Sequence, residues 1–317
     1  MSLSSNSISD IKKTTGRMRK TNIQAIRLLV IPSLLFGILI GTANLTGPIY
    51  WLGQICGGMF FAQAFILLHE FGHRSMFKNQ KLNTFFGHVF SLFVFIPYYN
   101  WLEIHDLHHK WTGYRDLDPT TEKTFSDRLA PTQEFIINFA WKFYIPVFTI
   151  GYRLGIYWKK EKLKRHLNAK KYFLCIKEMK LYLAFYFALI LFFPKSVLFI
   201  MPALYLSWVF CDILSLSQHS HVQMNHSQGN PVEPLKYIEQ VEFSRSLIFH
   251  PIIAKYFLFN FNYHEAHHAY PGLPCYYLDQ VEVKAENSFS FFPWLKKVKS
   301  MQGIDFIFKS DAYRDGF

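Results

Sequence analysis

The chain has 317 residues, half of them hydrophobic and 19% aromatic, with 34 Phe and 18 Tyr. With 18% charged residues and a mean hydropathy of only +0.08, the apolar residues must be gathered in blocks rather than spread through a soluble core. A formal charge of +12 suits nucleic acid or an anionic lipid surface, and the apolar blocks exclude the first in favour of a membrane.

The N-terminus, MSLSSNSISDIKKTTGRMRK, is polar and then basic, and no small-residue cleavage site precedes the first apolar run. Residues 1–25 therefore read as a cytoplasmic basic tail and not as a secretory signal. The remainder, 26–317, reads as one all-α membrane domain with about four transmembrane helices in two hairpins. A bilayer core needs roughly 20 helical residues, and four stretches qualify: about 26–45, 50–68, 177–193 and 197–216. The uncharged turn "TGP" joins the first pair, and Pro194 and Lys195 divide the second. Two shorter apolar pieces, about Phe85 to Tyr99 and Ile136 to Ile156, carry His88, Lys142 and Arg153 and read as re-entrant or interfacial helices.

Basic residues orient the bundle. Lys12, Lys13, Arg17, Arg19, Lys20 and Arg27 stand against the single acid Asp10, and nine more lie between Trp158 and Lys180. Positive charge stays on the cytoplasmic side, so 69–176 and 217–317 are expected to form a cytoplasmic helical cap. The run Lys159 to Lys171 reads as a contact for anionic lipid or as a dock for an acidic electron carrier. The four cysteines, Cys56, Cys175, Cys211 and Cys275, are too scattered for a disulfide framework or a zinc ribbon and read as small buried hydrophobes.

Fourteen histidines carry the chemistry. Three tight groups are His69 and His73 in "HEFGH", His105, His108 and His109 in "HDLHH", and His264, His267 and His268 in "HEAHH". His219 stands in "SQHSHVQMNH" with His221 and His226 nearby. Helical residues three and four apart share a face, so each group is expected to present its imidazoles as one cluster. All four groups follow the cytoplasmic ends of expected spans, which lets them share one site. Taken alone, "HEFGH" is also the HExxH pattern of a zinc protease, with Glu70 as general base. A zinc site needs three protein ligands and a water, however, and "HEAHH" repeats the pattern, so eight or nine histidines overfill it. A metal-binding transporter or sensor is a further reading, opposed by histidines gathered at one face rather than strung through the spans.

At this level "HEFGH", "HDLHH" and "NYHEAHH" resemble the three histidine boxes of the membrane fatty-acid desaturases, over about 67–278. The phrases "GHRSMF…PYYNWLEIHDLHH" and "SQHSH" look most like bacterial and plastid acyl-lipid desaturases of the oleoyl-type (omega-6) class. "NYHEAHHAYPGLPCYYL" is also similar to carotenoid ketolases. The resemblance implies a di-iron centre that uses molecular oxygen to introduce a cis double bond into an acyl chain of a membrane lipid. It also implies a multi-pass protein of a bacterial inner membrane with its site on the cytoplasmic side. The same centre could instead serve hydroxylation or ketolation of an alkyl or carotenoid substrate.

The implied ligands are His69, His73, His105, His108, His109, His219, His264, His267 and His268, with His221 as the alternative to His219. Glu70, Asp106 and Glu265, inside the boxes, are expected to orient imidazoles rather than bind iron. Asp116 and Asp118 in "YRDLDPT" either orient box histidines or pair with Arg115 and cap a turn. Asp212, inside a span and two helical turns before His219, is a candidate partner for it. His88 and His250 read as satisfied core or interfacial residues, and His166 as part of the solvated basic run. No HPGG haem motif occurs in the chain, so electrons are expected from a separate carrier, a ferredoxin with its reductase or a free cytochrome b5.

Overall fold

The computed structural model describes residues 18–122, 129–283 and 287–308, so the expected basic tail falls, up to residue 17, outside the described residues. The chain is mainly helical. Helix α1 (Asn22–Gly41) starts where the Thr21 hydroxyl accepts the Gln24 N–H at 3.2 Å. Its outward face presents Ile23, Ile26, Val30, Leu34 and Ile38, an apolar surface suited to lipid rather than water. Helix α2 (Gly47–Gly72) begins with Pro at its first turn and is the buried centre of the bundle, packed on α1, on α3 (Gln80–Val94) and on α9 (Pro194–His219). Its glycines permit the α9 approach: a Cβ at Gly57 or Gly58 would stand 2.9 Å from the Ala203 or Leu206 Cβ.

The chain then bends by 99° between α3 and α4 (Tyr98–Trp111). Phe95 takes a left-handed φ of 59°, and Pro97 leaves the preceding backbone extended, so the helix cannot run through. The apolar piece expected at Phe85 to Tyr99 is thus split at this corner. The second expected piece is also broken: α5 (Pro131–Lys142) stops before left-handed Tyr144 (φ 57°) and Pro146, and α6 (Val147–Tyr152) runs into a π turn, Arg153–Tyr157.

Short α7 (Lys160–His166) leads to α8 (Ala169–Phe192), capped by the Asn168 side chain, which accepts the Lys171 N–H at 3.0 Å. The helix α8 starts eight residues before the span expected from 177, because the cap and not the apolar window sets its beginning. Likewise α2 and α9 run past the expected ends at 68 and 216, so His69 and His219 lie in final helical turns. Helices α1, α2 and α9 are long and apolar enough to cross a membrane, and α3 with α4 could make one bent crossing. Helix α8 carries Lys177, Glu178 and Lys180 in its first half and exposed Phe185, Phe187, Ile190 and Leu191 in its second.

The remaining elements fold over the carboxyl ends of α2 and α9. They are a 3-10 turn (Tyr237–Phe243), strand β1 (Leu247–Ile248), a π turn (Ile253–Phe257), α10 (His264–Ala269), a 3-10 turn (Cys275–Gln280), strand β2 (Phe289–Ser290), α11 (Phe291–Ser300) and α12 (Gly303–Phe308). β1 and β2 form a two-residue parallel pair with Leu247 opposite Phe289. The main core, which includes Phe71, Tyr98, Trp101 and Phe259, sits beneath the histidines, and a smaller cluster of Trp141, Trp294, Val298 and Phe306 joins α5 to the C-terminal helices. Cys175, Cys211 and Cys275 are buried and Cys56 half-buried, all as free thiols.

Candidate metal centre

Each histidine group is delivered by a helix end whose position is held from outside. Gly72 lets α2 touch α4, since a Cβ there would lie 1.9 Å from Trp101 Cζ3. Trp101 in turn stacks on the His105 ring, centroids 4.2 Å apart, and lies one turn before it on α4. The amino end of α4 is capped from α8, where buried Glu178 accepts the Tyr99 N–H at 2.6 Å and faces His88 Nδ1 at 2.8 Å. Arg245 donates to the carbonyls of Ser217 (3.0 Å), Ser220 (2.8 Å) and His221 (2.9 Å), closing the carboxyl end of α9 that carries His219. Left-handed Phe259 and Asn260 turn the chain into α10, and the Asn260 side chain holds that turn to the Cys275 carbonyl at 3.0 Å.

Nine imidazoles meet in two sets, His69, His73, His105, His109 and His267 in one, and His108, His219, His264 and His268 in the other, with the candidate ligand atoms of each set within 4.8 Å of one another. The expectation of one cluster per box is not what forms. Box residues four apart stay together (His69 with His73, His105 with His109, His264 with His268), whereas His108 and His267 each cross to the other set. The reason is helical: at 3.6 residues per turn, positions i+3 and i+4 lie about 100° apart around the axis, on opposite flanks of position i. Each three-histidine box therefore joins the two sets. His219 sits with its ring 4.7 Å from that of His108, while His221 is left-handed (φ 57°), packs 6.4 Å from Phe306 and joins neither set.

The donor chemistry fits metal. Nε2 atoms face one another at 2.9 Å (His73 and His105), 3.1 Å (His105 and His109), 3.1 Å (His109 and His267), 2.9 Å (His219 and His264) and 3.0 Å (His264 and His268). One ring nitrogen cannot share protons with several such neighbours, but a first-row ion holding imidazole at ~2.1 Å places adjacent donors about 3 Å apart. Burial, reinforced by neighbouring imidazoles, holds His264, His267 and His268 well below the ordinary imidazole range, leaving them in the neutral, ligating form.

The outer partners settle which nitrogen faces inward. His69 Nδ1 meets Glu70 Oε1 at 2.9 Å, and its buried Nε2 has no hydrogen-bond partner. His108 Nδ1 meets Asp118 Oδ2 at 2.6 Å, His219 Nδ1 the Phe243 carbonyl at 2.9 Å, and His268 Nδ1 the Gln240 Oε1 at 3.0 Å. Burial raises the Asp118 carboxyl, but His108 and hydrogen bonds from Thr120 outweigh it and hold the group below the usual carboxylate range. Glu70 also accepts from Ser75 Oγ (3.1 Å) and Cys275 N–H (3.3 Å), so it is tied behind His69 and not aimed into an open site as a general base.

The other acids expected as supports bond elsewhere. Asp106 is exposed beside His73 and His109 at the rim; Asp116 accepts from the Ser227 hydroxyl and N–H. Asp212 accepts the Thr149 N–H, and Glu265 accepts from Asn287 N–H at 3.1 Å and Ser288 Oγ at 2.7 Å. The basic run is less solvated than its composition suggests: buried Lys162, together with Arg165 and His166, surrounds Glu122. Gln240 and Arg245 were invisible to sequence reasoning, because no motif surrounds them. Trp101 had a signal in its place four residues before His105.

Between the histidines and α6 lies a cavity of ≈ 380 Å³, bordered by His69, His105, His108, His219 and His264 and walled by Phe65, Trp101, Phe148, Ile156 and Phe261. It is a mainly apolar chamber with the two sets at one side, a size usual for a small-molecule site.

A family model described as fatty acid desaturase matches residues 24–294. The chain is similar to the chloroplastic sn-2 acyl-lipid omega-3 desaturase (ferredoxin) of Helianthus annuus, 38% identical over 110 residues, or 32% of this chain and 24% of that protein. The Arabidopsis thaliana protein of the same description is 32% identical over 126 residues, 36% of this chain and 28% of that one. The sn-1 acyl-lipid omega-3 desaturase (ferredoxin) of Nostoc sp. (strain 36) is 38% identical over 103 residues, 30% of this chain and 28% of that protein. The matched segments span about a quarter of the length of these relatives. Their names are omega-3 names, whereas the flanking phrases looked nearest to the oleoyl-type class.

Proposed function

The chain belongs to the fatty acid desaturase family, and from that premise we propose that it is an oxygen-dependent di-iron desaturase that forms a cis double bond in an acyl chain of a membrane lipid. The observation that carries the reading is the meeting of five and four imidazoles in two adjoining sets beside an apolar cavity. His69, His73, His105, His109 and His267 would hold one ion, and His108, His219, His264 and His268 the other. Bound there, two iron ions with molecular oxygen and two electrons supply the oxidant that an unactivated methylene requires, chemistry that no acid or base of the chain could perform.

The chain's own residues do the rest. Glu70, Asp118, Gln240 and the Phe243 carbonyl hold the Nδ1 sides of His69, His108, His268 and His219, which turns the Nε2 lone pairs inward. Phe65, Trp101, Phe148, Ile156 and Phe261 line a chamber that favours a hydrocarbon and keeps water from the reacting carbon. Electrons come from a separate carrier, a ferredoxin or cytochrome b5 with its reductase.

In the membrane, α1, α2, α8 and α9 are the four spans, with the N-terminus and the histidines on the cytoplasmic side of a bacterial inner membrane. The corner of α3 and α4 is re-entrant, and exposed lysines around α7, among them Lys160 and Lys164, rest on anionic lipid. Expression in a host without polyunsaturated lipids, followed by lipid analysis, is the test. A new double bond is the expected product; an added hydroxyl or keto group would replace desaturation by hydroxylation or ketolation. One zinc per chain in a fully active preparation would overturn the di-iron centre.

A further inference from the structure

One wall of the cavity is the segment 147–157, and it carries two glycines four residues apart, Gly151 and Gly155, that border the cavity. Glycine inside a helix costs ~0.5–1 kcal/mol relative to alanine, and neither usual reason for it applies here. Neither residue has a left-handed φ. Nor does close packing demand them: a Cβ at either position meets no atom within 4 Å, in contrast to Gly72 against Trp101. The bare backbone borders open space, and both glycines line the cavity.

Gly151 both lines the cavity and is exposed, which makes it the candidate opening in this wall. Its neighbours along the chain are apolar, with Ile150 37% and Leu154 61% exposed. Such a rim suits lipid tails and not water. The opening is held from both sides rather than left by a loose loop. Thr149 bonds to Asp212 and, at 3.2 Å, to the Trp208 carbonyl of α9; Arg153 Nε reaches the Val94 carbonyl and Trp158 Nε1 the Phe95 carbonyl, each at 2.8 Å.

We infer that the Gly151–Gly155 edge is a lateral entrance through which the acyl chain of a bilayer-resident lipid reaches the histidines, the two glycines being the positions that decide which chains pass. This rests on the desaturase reading, and the experiment separates the two. The full-length protein is reconstituted in phosphatidylcholine vesicles containing phosphatidylcholine with a mid-chain diazirine, irradiated, and mapped by peptide. Photolabelling needs no metal. Wild type is expected to label within 147–157, and Gly151→Leu and Gly155→Leu to lose at least tenfold of that label. Their yield of new double bonds in the expression host should fall by a similar factor. Gly151→Ala, whose methyl fits the open space, should lose only part of it. Gly37→Leu on α1, at an exposed glycine that meets no atom within 4 Å and lies away from the cavity, serves as the control and should match wild type.

Wild-type labelling and product in both leucine variants would overturn the entrance, as would labelling by a soluble diazirine acyl thioester but not by the phospholipid. Labelled wild type that forms no double bond would instead sink the desaturase reading and leave the entrance standing.

Discussion

Replacing Asp118 by asparagine removes one charge and almost no volume, which isolates the electrostatic support of His108. Asp118 is 1% exposed; its Oδ2 lies 2.6 Å from His108 Nδ1, and its Oδ1 accepts the Thr120 N–H and hydroxyl, both at 2.8 Å. An amide has one oxygen where the carboxylate has two, so it cannot serve both neighbours, and the charge that favours a proton on His108 Nδ1 is gone. A hydrogen bond to a charged group is worth about 1.5–3 kcal/mol. Loss of an outer partner of a metal-binding histidine costs about 10–100-fold in affinity, which is about 1.4–2.8 kcal/mol.

The loss should fall on one set only, because His108 sits with His219, His264 and His268. Asp118→Asn is therefore expected to release one iron per chain during dialysis against graded chelator, at 10–100-fold lower chelator than wild type, while the five-histidine set keeps its ion. Iron per chain by elemental analysis and helix content by circular dichroism check this. Both ions retained at wild-type chelator concentrations, with wild-type turnover, would refute the role given to Asp118.

Three further outcomes follow from contacts elsewhere. Gly72→Ala would press a methyl against Trp101 Cζ3, 1.9 Å from the Cβ position, and should cost about 1–3 kcal/mol, read as a lowered thermal midpoint together with reduced metal content. Arg245→Met would leave the carbonyls at the end of α9 without their donor and should cost about 1.5–3 kcal/mol, with His219 displaced and the four-histidine set weakened. Burial raises the Glu122 carboxyl, but hydrogen bonds from His166 and Lys162 dominate and bring it from 4.5 down to about 2. A depressed folded-state value stabilises above the unfolded value and is lost as pH falls through the folded one. Acid unfolding of wild type should thus steepen between about pH 4.5 and 2, and Glu122→Gln should flatten that limb; an unchanged acid profile would discount the Glu122 cluster.

Much of the site could be read from spacing because helices make spacing geometric. His69 and His73, or His264 and His268, are one turn apart, and any helix brings them to one flank. Three of the four apolar runs were equally legible, since a window of roughly 20 such residues has few other uses; the run at 177–193 falls in α8, which is not among the described helices apolar enough to cross a membrane. The ends of the runs were less legible. The helix α8 begins at the Asn168 cap and α9 runs through His219, where polar residues lie beyond the apolar window but still within the helix.

Among the acids, Asp118 and Asp116 are two residues apart in one phrase, yet one meets His108 and the other Ser227. They lie in a tight turn in which the Leu117 and Asp118 N–H groups both bond to the Tyr114 carbonyl, at 3.2 and 3.0 Å. Gln240 and Arg245 carry no motif because a buried amide or guanidinium matters only through what folds against it.

The sequence by itself determined that this chain is an apolar helical protein with nine metal-suited histidines brought to one face, since hydropathy and helical period are local properties of the chain. Only the tertiary structure decided how those histidines divide five and four, that His219 and not His221 joins them, and that Gly151 and Gly155 line the cavity beside them. Those depend on the angles at which helix ends meet, which are set by packing between residues far apart in the chain and leave no mark in any one stretch of it.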